Sequence, residues 1–81
     1  MKIHESAENY LEAILVLSQN KTEVRSIDVA NYMNFSKPSV SVAMKQLRQN
    51  GYIQMDANGF LTLAGGVVIT FAKEILDIIV G

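Results

Sequence analysis

Cysteine and tryptophan are absent from this sequence, and histidine and proline occur once each. Without cysteine there is no disulfide framework, no thiolate metal site and no cysteine nucleophile. A lone histidine, His4, supplies neither a histidine-rich metal centre nor a serine-type triad with a histidine to spare. Long hydrophobic runs are missing as well. The most apolar stretch, Val67–Val80, is interrupted by Lys73, Glu74 and Asp77 and is too short to span a bilayer. The N-terminal MKIHESAENY is polar and acidic, unlike a secretory signal. These absences predict a cytoplasmic protein with no membrane partner. No triad, phosphate loop or paired-carboxylate cleft can be assembled, so neither an enzyme nor a small-molecule substrate is expected. What is present is a hydrophobic share of 49% against 19% charged, which argues against disorder. At 81 residues the chain predicts a single domain, 1–81, with a marginal core.

The net charge of −1 conceals a gradient. Residues 1–20 set Lys2 against Glu5, Glu8 and Glu12. Residues 52–81 set Lys73 against Asp56, Glu74 and Asp77. Between them, residues 21–51 carry Lys21, Arg25, Lys37, Lys45 and Arg48 against Glu23 and Asp28 only. A local positive patch, not the total, decides whether a phosphate backbone is attracted.

Hydrophobic spacing predicts a first helix over Ser6–Gln19, its apolar face made by Tyr10, Leu11, Ile14, Leu15 and Leu17. Glu5, Glu8 and Glu12 suit its N-terminal dipole. A short second helix is expected over Ile27–Met33, with Ser26 as N-cap, Asp28 in the first turn, and Val29, Ala30 and Met33 inward. Asn34 and Phe35 then turn the chain. A third helix is expected over Lys37–Gln49, capped by Ser36, with Pro38 in the first turn and Asn50-Gly51 as its stop. Its Val40, Ala43, Met44 and Leu47 fall on one inward stripe. The period then changes. Tyr52–Met55 and Phe60–Leu63 read as strands around an Asp56–Gly59 turn containing Asn-Gly. A last helix is expected over 64–79, weakened at its start by Gly65 and Gly66. Its apolar residues occupy more than one face, which predicts a dimer or interdomain contact along 64–81. Met33, Met44 and Met55 read as core fillers. The fold class is therefore mainly α with a small β-hairpin: a winged helix-turn-helix with a three-helix core, a two-stranded wing and a C-terminal helix.

Such folds place the N-terminal end of the second helix of the pair in the major groove of DNA. That end needs small side chains near base edges and donors for phosphates. Ser36, Ser39 and Ser41 bring hydroxyls, Lys37 brings charge, and Pro38 offers an apolar surface to a thymine methyl. Lys45 and Arg48 lie off the inward stripe and can reach a phosphate strand. Ser26, at the start of the preceding helix, is added to the expected DNA-binding set. The alternative is a winged helix used as a protein-interaction module, favoured by acidic ends and a wing without a basic residue.

The sequence also resembles a known family, the metal-dependent transcriptional repressors of the diphtheria toxin repressor and manganese transport regulator type. The resemblance runs through Glu8-Asn9-Tyr10-Leu11-Glu12-Ala13-Ile14, Val24-Arg25-Ser26-Ile27-Asp28-Val29-Ala30 and Ser36-Lys37-Pro38-Ser39-Val40-Ser41. It continues in Leu47-Arg48-Gln49-Asn50-Gly51-Tyr52-Ile53 and Leu61-Thr62-Leu63-Ala64-Gly65, thus covering 8–65. It implies a dimeric repressor on a palindromic operator, switched by Mn(II) or Fe(II). It implies that Ser36, Pro38 and Val42 face bases, while Arg25, Ser39, Ser41 and Lys45 face phosphates. Two departures stand out: Val42 replaces a hydrogen-bonding Gln of a relative, and the wing has Asp56 as its only charge. The family's two first-helix metal positions correspond to Asn9 and Glu12. Glu12 suits a metal of this hardness and the neutral Asn9 does not. The family's remaining ligands come from the helix after the wing, which has no His here, and from a domain that would lie beyond Gly81, so one copy of this sequence does not complete a site of the family's kind. An N-terminal cluster of His4, Glu5 and Glu8 is the other metal candidate, weighed against a frayed terminus with dipole-favouring carboxylates.

Overall fold

The computed structural model describes residues 5–67 and residue 69. Three helices are followed by a hairpin: α1 (Glu5–Asn20), α2 (Ser26–Met33), α3 (Lys37–Gln49), β1 (Ile53–Met55) and β2 (Leu61–Leu63). This is the expected winged helix-turn-helix order. Of the expected C-terminal helix, residues 65–67 are helical, so the two glycines do not prevent its start. Val67 is buried in the core and Ile69 is exposed; the other apolar positions on which a dimer contact was expected lie outside the described residues.

Each helix contributes one apolar stripe to a common core. Leu11, Ala13 and Ile14 come from α1, Val29 and Ala30 from α2, and Val40, Met44 and Leu47 from α3. Ile53 and Leu61 close it from the wing, and Val24 from the segment before α2. Tyr10, Leu15, Leu17, Met33 and Met55 pack around it half-buried. Among the described residues no polar or charged side chain is buried.

The turn between α2 and α3 is made by Asn34, whose φ of 58° places it in the left-handed region. The Phe35 N–H then donates to the Ala30 carbonyl at 3.0 Å, closing α2. Asn tolerates this conformation better than other residues with a Cβ. Phe35 meets the Tyr10 ring edge-on, with centroids 6.0 Å apart, which ties the turn to α1. At its other end α3 stops where expected. Gly51 takes φ +75°, its N–H donates to the Arg48 carbonyl, and the Tyr52 N–H donates to the Leu47 carbonyl, both at 3.0 Å. This double closure is the Schellman arrangement that a left-handed glycine makes possible. It also explains why β1 begins at Ile53 and not at Tyr52: the Tyr52 N–H belongs to the helix end.

The α2 start corrects one expectation. Ser26 is the first helical residue, and the N-cap is Arg25, in extended conformation. The oxygen that satisfies this end comes from Asp28, whose Oδ2 accepts the Arg25 N–H at 2.8 Å. This is the reciprocal half of a capping box, supplied by the third residue of the helix.

In the wing, Ile53 pairs with Leu63, Gln54 with Thr62 and Met55 with Leu61. The loop uses Asp56 twice, its Oδ1 accepting the Asn58 and Phe60 N–H groups, each at 2.9 Å. Gly59, at φ +84°, is the left-handed residue of a three-residue loop. The outer edge of β2 is anchored by the Leu61 N–H, which donates to the Val24 carbonyl at 2.7 Å. The wing is thereby joined to the segment that leads into α2.

Candidate nucleic-acid interface

Opposite the buried Val40, Met44 and Leu47, α3 exposes Pro38, Ser41, Val42 and Lys45. These lie at i, i+3, i+4 and i+7, so they form one continuous row along the helix. Val42 is 58% exposed, an unusual place for an aliphatic side chain on a helix with a well-filled inner face. The row is small, uncharged at its front and cationic at its rear.

The front of α3 is held by a serine pair. The Ser36 Oγ accepts the Ser39 N–H at 3.3 Å and lies 2.8 Å from the Ser39 Oγ, to which it donates. Ser36 is therefore mainly a cap, its hydroxyl proton already in use, and Ser39 keeps the hydroxyl proton that is free to turn outward. The side chains of Lys37, Ser41 and Lys45 are exposed and make no hydrogen bond or ion pair among the described residues. Ser26 comes close to this end as well. With Ile27, Lys37 and Ser41 it lines an indentation of about 170 Å³ between α2 and α3.

Arg25 sits beside this region, exposed, with its guanidinium carbon 4.7 Å from the centre of the Phe60 ring. Phe60 was not among the residues singled out from sequence, because its neighbour is far away in the chain. Arg48 is the outlier of the expected set. About 16 Å of helix separates it from Lys37, and its Nη1 rests 3.5 Å from the Met55 Sδ, a weak acceptor. Lys21 is also withdrawn from the basic patch: its ammonium pairs with Asp28 Oδ1 at 2.8 Å. The Asp28 carboxyl is held below its ordinary value, first by this lysine hydrogen bond and next by the Arg25 N–H, with slight burial opposing both. The free cations of the face are thus Lys37, Lys45 and the ring-seated Arg25.

The metal expectation fares differently. Asn9 and Glu12 are both exposed on α1, and among the described residues no three histidine, cysteine or carboxylate side chains gather into a group able to hold a cation. One carboxylate and one neutral amide are a poor donor set for Mn(II) or Fe(II). The described residues do not fit such a site. His4, of the other candidate cluster, lies outside the described residues.

No curated protein matches the chain. A family model does: that of the iron dependent repressor, N-terminal DNA binding domain, over residues 2–59. The match takes in α1, α2, α3, β1 and the wing loop as far as Gly59, and so includes the exposed row of α3. The family so described binds DNA and represses transcription. The chain belongs to the iron dependent repressor family, whose N-terminal DNA-binding domain it carries.

Proposed function

We propose that the chain binds duplex DNA sequence-selectively as a homodimeric transcriptional repressor, with α3 lying in the major groove. The observation that carries this reading is the exposed Pro38–Ser41–Val42–Lys45 row, backed by the buried Val40, Met44 and Leu47. Pro38 and Val42 face bases and meet thymine methyls by apolar contact. Ser41, the free hydroxyl of Ser39, Lys37, Lys45 and Arg25 take phosphate oxygens. Ser36 and Ser26 stand at the edge of the same surface, Ser36 chiefly holding the helix end in place, and Arg48 is peripheral. A dimer follows from the small number of base edges that one such helix reaches, since two half-sites are needed for a selective operator. Among the described residues no helix is long and apolar enough to cross a membrane. The cytoplasm is the place of action attached to this reading.

The rival reading, a winged helix that binds protein and not DNA, draws on the exposed Tyr32 and Phe35 and on the uncharged wing strands. Salt-dependent binding separates the two. A labelled duplex titrated with the chain should show affinity that falls steeply as salt rises. Lys45→Ala should weaken binding to all sequences alike and lower the slope of log affinity against log salt by about one unit. A chain that does not retard duplex DNA at low salt belongs to the rival reading. A sequence-dependent loss at unchanged slope would remove Lys45 from the phosphate contacts.

A further inference from the structure

A wing that touches DNA ordinarily needs cations, and this one has none. Its single charge is Asp56, whose Oδ1 already accepts two loop N–H groups. What the wing does offer is the half-buried ring of Phe60. The short bond from the Leu61 N–H to the Val24 carbonyl sets the neighbouring residues, Phe60 and Arg25, side by side. The guanidinium of Arg25 then lies over the Phe60 ring.

Arg25 is held at both ends. Its backbone N–H is fixed by Asp28 Oδ2 at 2.8 Å, and its guanidinium by the ring. Asp28 does not draw the guanidinium away, because its other oxygen is taken by Lys21. A guanidinium lying on an aromatic face keeps the N–H groups around its rim available to oxygen acceptors. A side chain already restrained loses less freedom when it binds than one that is not.

We infer that Phe60 is a positioning residue: its ring holds the Arg25 guanidinium ready for a phosphate of bound duplex. The wing thereby contributes to DNA affinity through an arginine of the α2 N-cap and not through a charge of its own. This rests on the DNA-binding reading of Arg25 proposed above.

The test is a double-mutant cycle on the full chain, read by anisotropy of a short random-sequence duplex over a range of salt concentrations. Phe60→Leu removes the π face and keeps an apolar side chain. It should weaken binding about two- to tenfold, the range expected for one rotamer-rich side chain that must be ordered on binding. The salt slope should not change, because the charge of Arg25 remains. Phe60→Tyr, which keeps the ring, should bind as the parent does. In an Arg25→Ala background, where the slope is already lower by about one unit, Phe60→Leu should add nothing. Thermal melts establish that each variant is folded at the measuring temperature, and Phe60→Met replaces Phe60→Leu if leucine is not tolerated.

Parent-like affinity in the leucine variant would overturn the inference. So would an equal loss with and without Arg25, which is the signature of a merely structural role. In both cases an effect of Arg25→Ala would leave the DNA-binding reading standing. If Arg25→Ala itself changes neither affinity nor slope, the phosphate role of Arg25 fails and Phe60 with it. Absence of duplex binding by the parent overturns the proposed function altogether.

Discussion

Val42 shows how one side chain sets what a recognition surface can read. A glutamine in its place has an amide that can donate to and accept from the major-groove edge of an adenine, whereas valine has only methyl groups. Its exposure, between Ser41 and the rest of the α3 row, leaves those methyl groups outside the packed core of the described residues and open to solvent. Val42→Gln should therefore change the preferred operator, introducing discrimination of about 1–3 kcal/mol for adenine at one position. Selection from a randomised duplex pool checks this, and an unaltered preference would take Val42 away from the bases. The serines show the limit of reading such a residue from sequence. Ser36, Ser39 and Ser41 are alike as hydroxyl donors, yet in the structure Ser36 is committed to the helix end and to Ser39, leaving Ser39 and Ser41 as outward donors. Which serine does which is decided by the distance of each from the first free N–H groups of α3, and this becomes visible only once the helix start is fixed.

The elements differ in how much of their definition is local. The bounds of α3, Lys37–Gln49, coincide with expectation because every signal for them lies in the helix or next to it: Ser36 before, Pro38 in the first turn, Asn50-Gly51 after. The wing loop is equally local, since Asp56 and Gly59 satisfy and shape it without outside help. The start of α2 is less so. An arginine at the N-cap has no side-chain oxygen to mark the position, and the marker is Asp28 reaching backwards. That arrangement makes α2 sensitive to pH. Asp28 titrates below its ordinary value of 3.8 in the folded chain. Its contribution is therefore complete above the unfolded value and is lost as pH falls through the folded one. Asp28→Asn keeps an oxygen for the Arg25 N–H but removes the partner of Lys21. Because that pair is partly exposed and screened by solvent, the variant should be less stable at neutral pH by only about 0.5–1 kcal/mol. The difference should vanish once the medium is acidic enough to protonate Asp28 in both states. Urea unfolding of the two proteins at neutral and acid pH checks this; a difference that persists unchanged in acid would show that the charge of Asp28 contributes nothing.

At the scale of the whole molecule, what sequence spacing left hidden is long-range. The Val24–Leu61 bond and the Arg25–Phe60 contact join segments far apart in the chain. No hydrophobic period announces them, whereas the buried stripes of α1, α2 and α3 are each announced by their own spacing. The same bond raises the question of whether the wing is an appendage or part of the folding unit. Two strands of three residues each are too short to persist alone. Leu61 and Ile53 are both buried in the core, with β2 lying against α1 and β1 against α3, so the hairpin is held by the core as much as by its own ladder. Leu61→Ala should then remove stability from the helices and the wing together. A buried Leu→Ala change costs about 2–5 kcal/mol, a large share of the roughly 4–12 kcal/mol available to a domain of this size. Each kcal/mol is worth about 4–8 °C of melting temperature in such a domain. The helical signal in far-ultraviolet circular dichroism should therefore melt in one transition, at least about 8 °C below the parent. If the helices instead melt at the parent temperature, the wing is a separate flap. The Val24–Leu61 anchor could not then hold Phe60 in register with Arg25.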